Sequence, residues 1–193
     1  MFAAVFERFA QEKERPGNET LKLTFQTADG KNAHLQAVTC DDLNDQESIQ
    51  RFAKWRISTQ DAFRNYFNVT VDGTRRWLEK GVLQAPSRFF FWVWDSRGLP
   101  VGHVALFSFS ESENSCELDS IVRGEASPDR GLMRAAVDRL LQWQFIELNV
   151  PHSYLRVMST NEHAIRFYEA MGYRRVGEIP LRHEFTPDYD RWV

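Results

Sequence analysis

The chain has 193 residues, 42 % of them hydrophobic and 26 % charged, with a formal net charge of −3. That balance belongs to a soluble globular protein of one domain, or of one domain with a modest extension. It excludes a broad basic surface for nucleic acid or acidic lipid, and no run of 18 apolar residues offers a membrane span. At the N-terminus, Glu7 and Arg8 interrupt the apolar residues too early for a signal-peptide core. Cys40 and Cys116 lie far apart with no CxxC and no metal-ligand spacing, so both are expected as buried, reduced thiols of a cytoplasmic protein, with no metal.

In chain order, residues 1–15 predict a helix with Phe2, Val5, Phe6 and Phe9 on one face, broken at Arg15-Pro-Gly-Asn18. Leu21 to Thr27 alternates as a strand. Ala28-Asp-Gly-Lys31 is a hairpin turn, and His34 to Thr39 returns, ending in Thr39-Cys-Asp-Asp-Leu43. Helices are expected near Gln46–Ile57, with Ile49, Phe52, Ala53 and Arg56 in helical spacing, and near Asp72–Leu83. Arg88–Trp94 and Val101–Phe107 are apolar almost throughout, which predicts strands covered on both faces. Cys116–Arg123 is a further strand. It leads to the longest helix, about Ser127–Leu148, with Ser127-Pro128 as a cap followed by a first-turn proline. A last strand is expected around Leu181–Phe185, in a tail that carries Pro180 and Pro187.

The densest pattern lies between Ser153 and Val176. Ser153–Ser159 reads as a strand and Tyr173–Val176 as another. Between them, Asn161-Glu-His-Ala164-Ile-Arg-Phe167-Tyr168-Glu-Ala-Met-Gly172-Tyr173 is a short amphipathic helix. Ala164, Ile165, Tyr168 and Met171 share its apolar face. Asn161 is a good cap, Ser159 and Glu162 have capping-box spacing, and Gly172 supplies a left-handed stop. This strand–helix–strand resembles the C-terminal half of the GNAT superfamily of acyl-CoA-dependent N-acyltransferases. The family pattern N-x-x-A-x-x-(F/L)-Y-x-x-x-G-(F/Y) is matched at every defined position.

The resemblance implies an α/β fold with a GNAT-like mixed, mostly antiparallel central sheet flanked by helices. Its core would span residues 31–193, leaving 1–30 as an extension that packs on a sheet edge or serves a homodimer. It also implies acetyl-CoA as co-substrate. The pyrophosphate would sit on amides at a helix N-terminus, where unpaired N–H groups and the dipole face the anion. The stretch aligned with the family's (Q/R)-x-x-G-x-(G/A) loop is Pro128-Asp-Arg-Gly131-Leu-Met133, which keeps only the central glycine. Gly131, Leu132, Met133 and Arg134 would offer amides there, and Arg123, Arg130 and Arg134 charge. Pantetheine would lie along the strand Glu117–Arg123, with the amide of Ile121 or Val122 facing the oxyanion, and Asn161 would bind its arm or a neighbouring water.

By the same resemblance Tyr168 is the general acid for the departing thiolate. Ideal alternation puts Glu117, Asp119 and Ile121 on one strand face and Cys116, Leu118, Ser120 and Val122 on the other. Glu117 matches the family's usual base position; Asp119, Glu125 and His103 are the other candidates. For the acceptor, Trp55-Arg56, Phe63-Arg64, Phe67 and Arg76-Trp77-Leu78 loosely resemble bacterial acetyltransferases of nucleotide-linked amino sugars. Arginines and aromatics suit a diphosphate and a base, and Arg56, Trp77 and His103 are the candidate contacts. The expected activity is direct transfer of acetyl from acetyl-CoA to a primary amine. A protein N-terminal or small-amine acetyltransferase and a non-catalytic acyl-CoA-binding domain are the alternatives.

Overall fold

The computed structural model describes residues 2–62, 65–66, 68–185 and 190–192. Its frame is a six-stranded sheet with the order β1-β2-β4-β5-β6-β7. The strands are β1 (Lys22–Gln26), β2 (Asn32–Ala37), β4 (Phe89–Trp94), β5 (Pro100–Ser110), β6 (Ser115–Arg123) and β7 (His152–Tyr154). All neighbours are antiparallel except β6 and β7, which run parallel. A small second sheet joins β3 (Asn65–Tyr66), β9 (Asp190–Trp192) and β8 (His183–Phe185). The architecture is thus the mixed, mostly antiparallel α/β arrangement expected from the sequence.

β4 explains why the chain builds two layers around this sheet. Its six residues are Phe-Phe-Phe-Trp-Val-Trp, and period-two alternation sends apolar groups to both sides. Phe89, Phe91 and Val93 enter one core, beneath α1 (Ala3–Lys13) and α5 (Leu132–Gln142). Phe90 and Trp92 enter the other, beneath α3 (Gln46–Ser58) and α4 (Val71–Trp77). The N-terminal helix is part of the first core: Phe9 is fully buried, its ring 4.6 Å from Phe89 and 6.0 Å from Trp143. Burying a side chain of that size contributes roughly 1.5–3 kcal/mol.

Helix ends follow local chemistry. Asp45 caps α3 by accepting from the Glu47 and Ser48 amides, and Thr70 caps α4 by accepting from Gly73. Both α4 and α5 widen at their C-terminal ends into π-helical turns, Leu78–Leu83 and Trp143–Glu147. α6 (Glu162–Ala170) starts at Asn161, whose Oδ1 accepts from the Ala164 amide at 3.1 Å; Ser159 plays no part in that cap. It ends with the Gly172 amide on Glu169 O and the Tyr173 amide on Tyr168 O, a paired closure that needs the positive φ (95°) of Gly172.

Five expectations are corrected. Residues 39–43 do not extend β2: the Thr39 amide donates to Asp42 Oδ2 and opens α2 (Cys40–Asn44). Ser127-Pro128 does not cap the long helix, which begins at Leu132 behind a left-handed Gly131. The strand expected over 153–159 is confined to β7, and Tyr173–Val176 is not a strand, Val176 standing fully in solvent. Cys116 is buried as expected, whereas Cys40 is half-exposed, with its thiol on Glu14.

Candidate active site

β6 is paired with β5 along its length but with β7 only at its start, where Ser115, Cys116 and Glu117 face His152, Ser153 and Tyr154. Beyond Glu117 the two parallel strands part. The edge of β6 from Leu118 to Arg123 is therefore open on the β7 side, and an extended, amide-bearing ligand can pair with it as a strand would.

Within that open stretch β6 carries a bulge. The register with β5 slips between His103↔Val122 and Ala105↔Asp119, and Ser120 takes a φ of 51°, rare for a residue other than glycine. Ideal alternation is broken there, which corrects the expected faces. Ile121 packs with Cys116 and Leu118 against the α1/α5 core, while Val122 joins Glu117 and Asp119 on the α3/α4 side.

Both acids on that side are held by arginines. Arg156 grips buried Glu117 with two bonds, Nε to Oε1 at 2.9 Å and Nη2 to Oε2 at 2.7 Å. Arg88 reaches Asp119 Oδ2 at 3.1 Å, and Ser120 Oγ donates to the same oxygen. The Arg88 guanidinium lies 3.9 Å over the Phe107 ring. Neither Arg88, Arg156 nor Phe107 was singled out in the sequence. The available signals were a lone charge opening an otherwise apolar strand (Arg88) and a lone charge in Ser153–Ser159 (Arg156).

Tyr168 approaches the same region from α6. Burial, with the Asp119 carboxylate adding to it, pushes its phenol up to about 12, so the hydroxyl is protonated at neutral pH. Among the described residues none hydrogen-bonds that hydroxyl, whereas Tyr173 OH meets Ser153 Oγ at 2.7 Å and Tyr154 OH donates to Ser108 O. The Asn161 carbonyl oxygen is committed to the helix cap. Burial also raises both thiols, Cys40 to about 11 and Cys116 to about 12, leaving neither as a thiolate nucleophile near neutrality.

The loop between β6 and α5 is tied down by aspartates. Buried Asp129 accepts from the Ser96 amide, Ser96 Oγ and Lys31 Nζ, and these bonds, the Ser96 amide first, lower its pKa. Ser127 Oγ is spent on Asp95, and the Arg130 amide on Asp29. Those distant partners hold residues 127–130 out of the helix. Gly131 gives α5 no side-chain cap, so the first-turn amides of Leu132, Met133 and Arg134 have no intrahelical acceptor. The side chains of Leu132 and Met133 face the core, whereas Arg123, Arg130 and Arg134 are exposed along this rim.

The acceptor candidates separate. Arg56 lies 4.5 Å over Trp77 and donates to Thr74 Oγ1, with burial lowering its pKa to about 10. Trp77 packs on Phe52 and Phe90 at the edge of the second core. His103 is only 3 % exposed, enclosed by Phe52, Trp55 and Phe90. Glu125 bonds Lys54 and the Trp55 indole. Phe63, Arg64 and Phe67 lie outside the described residues. Among the described residues no group of three or more His, Cys, Asp or Glu is placed to hold a metal ion, and no helix is long and apolar enough to cross a membrane.

Residues 41–173 match the family model "Acetyltransferase (GNAT) family". No curated protein sequence matches the chain. Among solved structures, a nucleotide-linked sugar GNAT, FdhC in its apo form, is 17 % identical with a TM-score of 0.64, over 89 % of this chain and 88 % of that one. Spermidine N-acetyltransferase from Vibrio cholerae, in complex with CoA and spermine, is 22 % identical with a TM-score of 0.62, over 82 % and 90 %. A probable acetyltransferase is 18 % identical with a TM-score of 0.61, over 80 % and 98 %. At these identities the likeness is one of fold.

Proposed function

This chain belongs to the GNAT family of acetyltransferases, and from that premise we propose that its acceptor is the primary amine of an amino sugar carried on a nucleotide. The family chemistry is acetyl transfer from acetyl-CoA to an amine. The charge arrangement on β6 carries the choice of acceptor. Glu117 and Asp119 lie on the α3/α4 side of β6, Asp119 the more exposed of the two, and each is already neutralised by an arginine. A polyamine would need those carboxylates for itself and would meet two guanidinium groups. A sugar nucleotide brings phosphates for arginines and a flat base for the aromatics.

The proposed mechanism is direct attack in a ternary complex. Pantetheine pairs with the open edge of β6, and the exposed arginines 123, 130 and 134 with the α5 amides receive the pyrophosphate. Asp119 is the better-placed base. Both oxygens of Glu117 are engaged by Arg156, whereas among the described residues nothing bonds Asp119 Oδ1. The amine loses its proton to that carboxylate or through water, its lone pair attacks the thioester carbon, and an amide of the bulge stabilises the oxyanion. The C–S bond breaks as Tyr168 gives its proton to the thiolate, and the extra proton on the new amide nitrogen returns to the phenolate, directly or through water. Asn161, its Oδ1 on the cap, offers its side-chain NH2 to the pantetheine arm.

Acetyl-CoA turnover against UDP- and dTDP-linked amino sugars, spermidine, amino acids and N-terminal peptides tests the acceptor. A sugar nucleotide is expected to exceed spermidine in kcat/KM by tenfold or more. Selective turnover of a peptide or a polyamine overturns the reading.

A further inference from the structure

His103 is buried and ionisable, and the mechanism above leaves it unused. Its ring centroid lies 5.6 Å from Phe52, 6.1 Å from Trp55 and 5.4 Å from Phe90, and its Nδ1 is 2.7 Å from the carbonyl oxygen of Ser120. A carbonyl only accepts, so Nδ1 carries the proton in this contact. Burial drives the imidazole pKa down to about 4, which leaves the ring neutral at physiological pH with that single tautomer fixed by its partner.

The carbonyl it holds belongs to the bulge. Ser120 has a positive φ without being glycine, a conformation that persists only where the surroundings impose it. One such constraint is β5 itself, because a Cβ on Gly102 would overlap the Val122 carbonyl; glycine lets the two backbones close up beside the bulge. The other is His103. In a planar trans peptide the C=O and the following N–H point opposite ways. Fixing Ser120 O toward the imidazole therefore turns the Ile121 N–H away from it.

We propose that His103 is a positioning residue for acetyl transfer: its Nδ1–H holds the Ser120 carbonyl and thereby aims the Ile121 amide at the thioester oxygen. The imidazole touches neither substrate. It chooses between the two candidate amides, Ile121 and Val122, in favour of Ile121. An aliphatic residue of similar size at 103 would fill the aromatic box but leave the carbonyl without a donor and the bulge free to relax.

The test uses two amide replacements that place the donor differently, Gln being longer by one methylene. Asn places its NH2 close to the position of Nδ1, and Gln close to that of Nε2. His103→Asn should keep kcat within about threefold. His103→Gln should lose on the order of ten- to a hundredfold in kcat, with the KM for acetyl-CoA within twofold of wild type. Equal activity in the two variants, or losses that track melting temperature, overturns the inference. The assay takes whichever acceptor in the panel is turned over fastest, so it stands even where the sugar assignment fails. Nitrogen-15 NMR of the wild-type protein decides independently of variant folding: an Nδ1–H tautomer that resists protonation below pH 6 is expected, and an Nε2–H tautomer refutes the tie.

Discussion

The two faces of the sheet divide the labour. On the α1/α5 side the buried groups are almost all hydrocarbon, from Phe9, Phe89 and Phe91 to Leu140 and Trp143. On the α3/α4 side the apolar cluster is smaller, and beside it lie His103, the Arg56–Trp77 stack, and the Arg88–Asp119 and Arg156–Glu117 pairs. β6 serves both, with Cys116 and Leu118 toward one side and Glu117 and Asp119 toward the other. Hydrocarbon dominates the first environment, and in the second the charges are kept where pairs or hydrogen bonds answer them. Substitutions on the two faces should therefore fail differently, one set in stability and the other in chemistry.

Tyr168 gives the largest separation. Tyr168→Phe keeps the ring against Phe167 and Tyr173 and removes only the hydroxyl. As general acid it should cost roughly 10²–10⁴ in kcat, with acetyl-CoA affinity and melting temperature nearly unchanged. Single-turnover measurement of acetyl transfer checks this directly, and wild-type chemistry in that experiment removes Tyr168 from the mechanism. Phe9→Ala is the opposite case. Emptying that site between Phe89 and Trp143 should destabilise the protein by about 3–5 kcal/mol in denaturant unfolding. Below the transition kcat should hold. If stability is unchanged, α1 is an appendage and not part of the core.

How much was legible in the sequence follows the range of the contacts involved. The α6 motif was readable because its cap, its apolar face and its glycine stop all lie within a dozen residues. The hairpin of β1 and β2 and the two-faced β4 were readable for the same reason. The start of α5 was misread because Ser127-Pro128 looks like a cap followed by a first-turn proline. The hydrogen bonds of Ser127 and of Asp129 go instead to Asp95 and Ser96, about thirty positions away. The face assignments on β6 failed at Ser120, since a bulge is set by the partner strand and by His103 and leaves no local signature. Likewise Glu117 and Asp119 were visible as acids, but Arg156 and Arg88, which decide what those acids can do, come from other strands or their flanks. Fold and acid were local; acceptor chemistry was not.

That last point sets the smallest and most diagnostic change. Arg88→Met retains an unbranched chain over Phe107 and deletes the charge that balances Asp119. With Asp119 uncompensated, the site gains attraction for a cation and loses it for a phosphate. The ratio of kcat/KM for spermidine to that for a sugar nucleotide should then rise by about tenfold, some 1.4 kcal/mol of discrimination. Salt gives an internal control, because the effect is electrostatic and Asp119 is partly solvent-exposed, so raising ionic strength should shrink it. If both acceptors instead slow in parallel, Arg88 only shapes the pocket, and selectivity rests with groups outside the β6 carboxylates. A fall for spermidine alone would mean that the Arg88–Asp119 pair is read by the amine as a unit, and the charge argument for a sugar nucleotide would be lost.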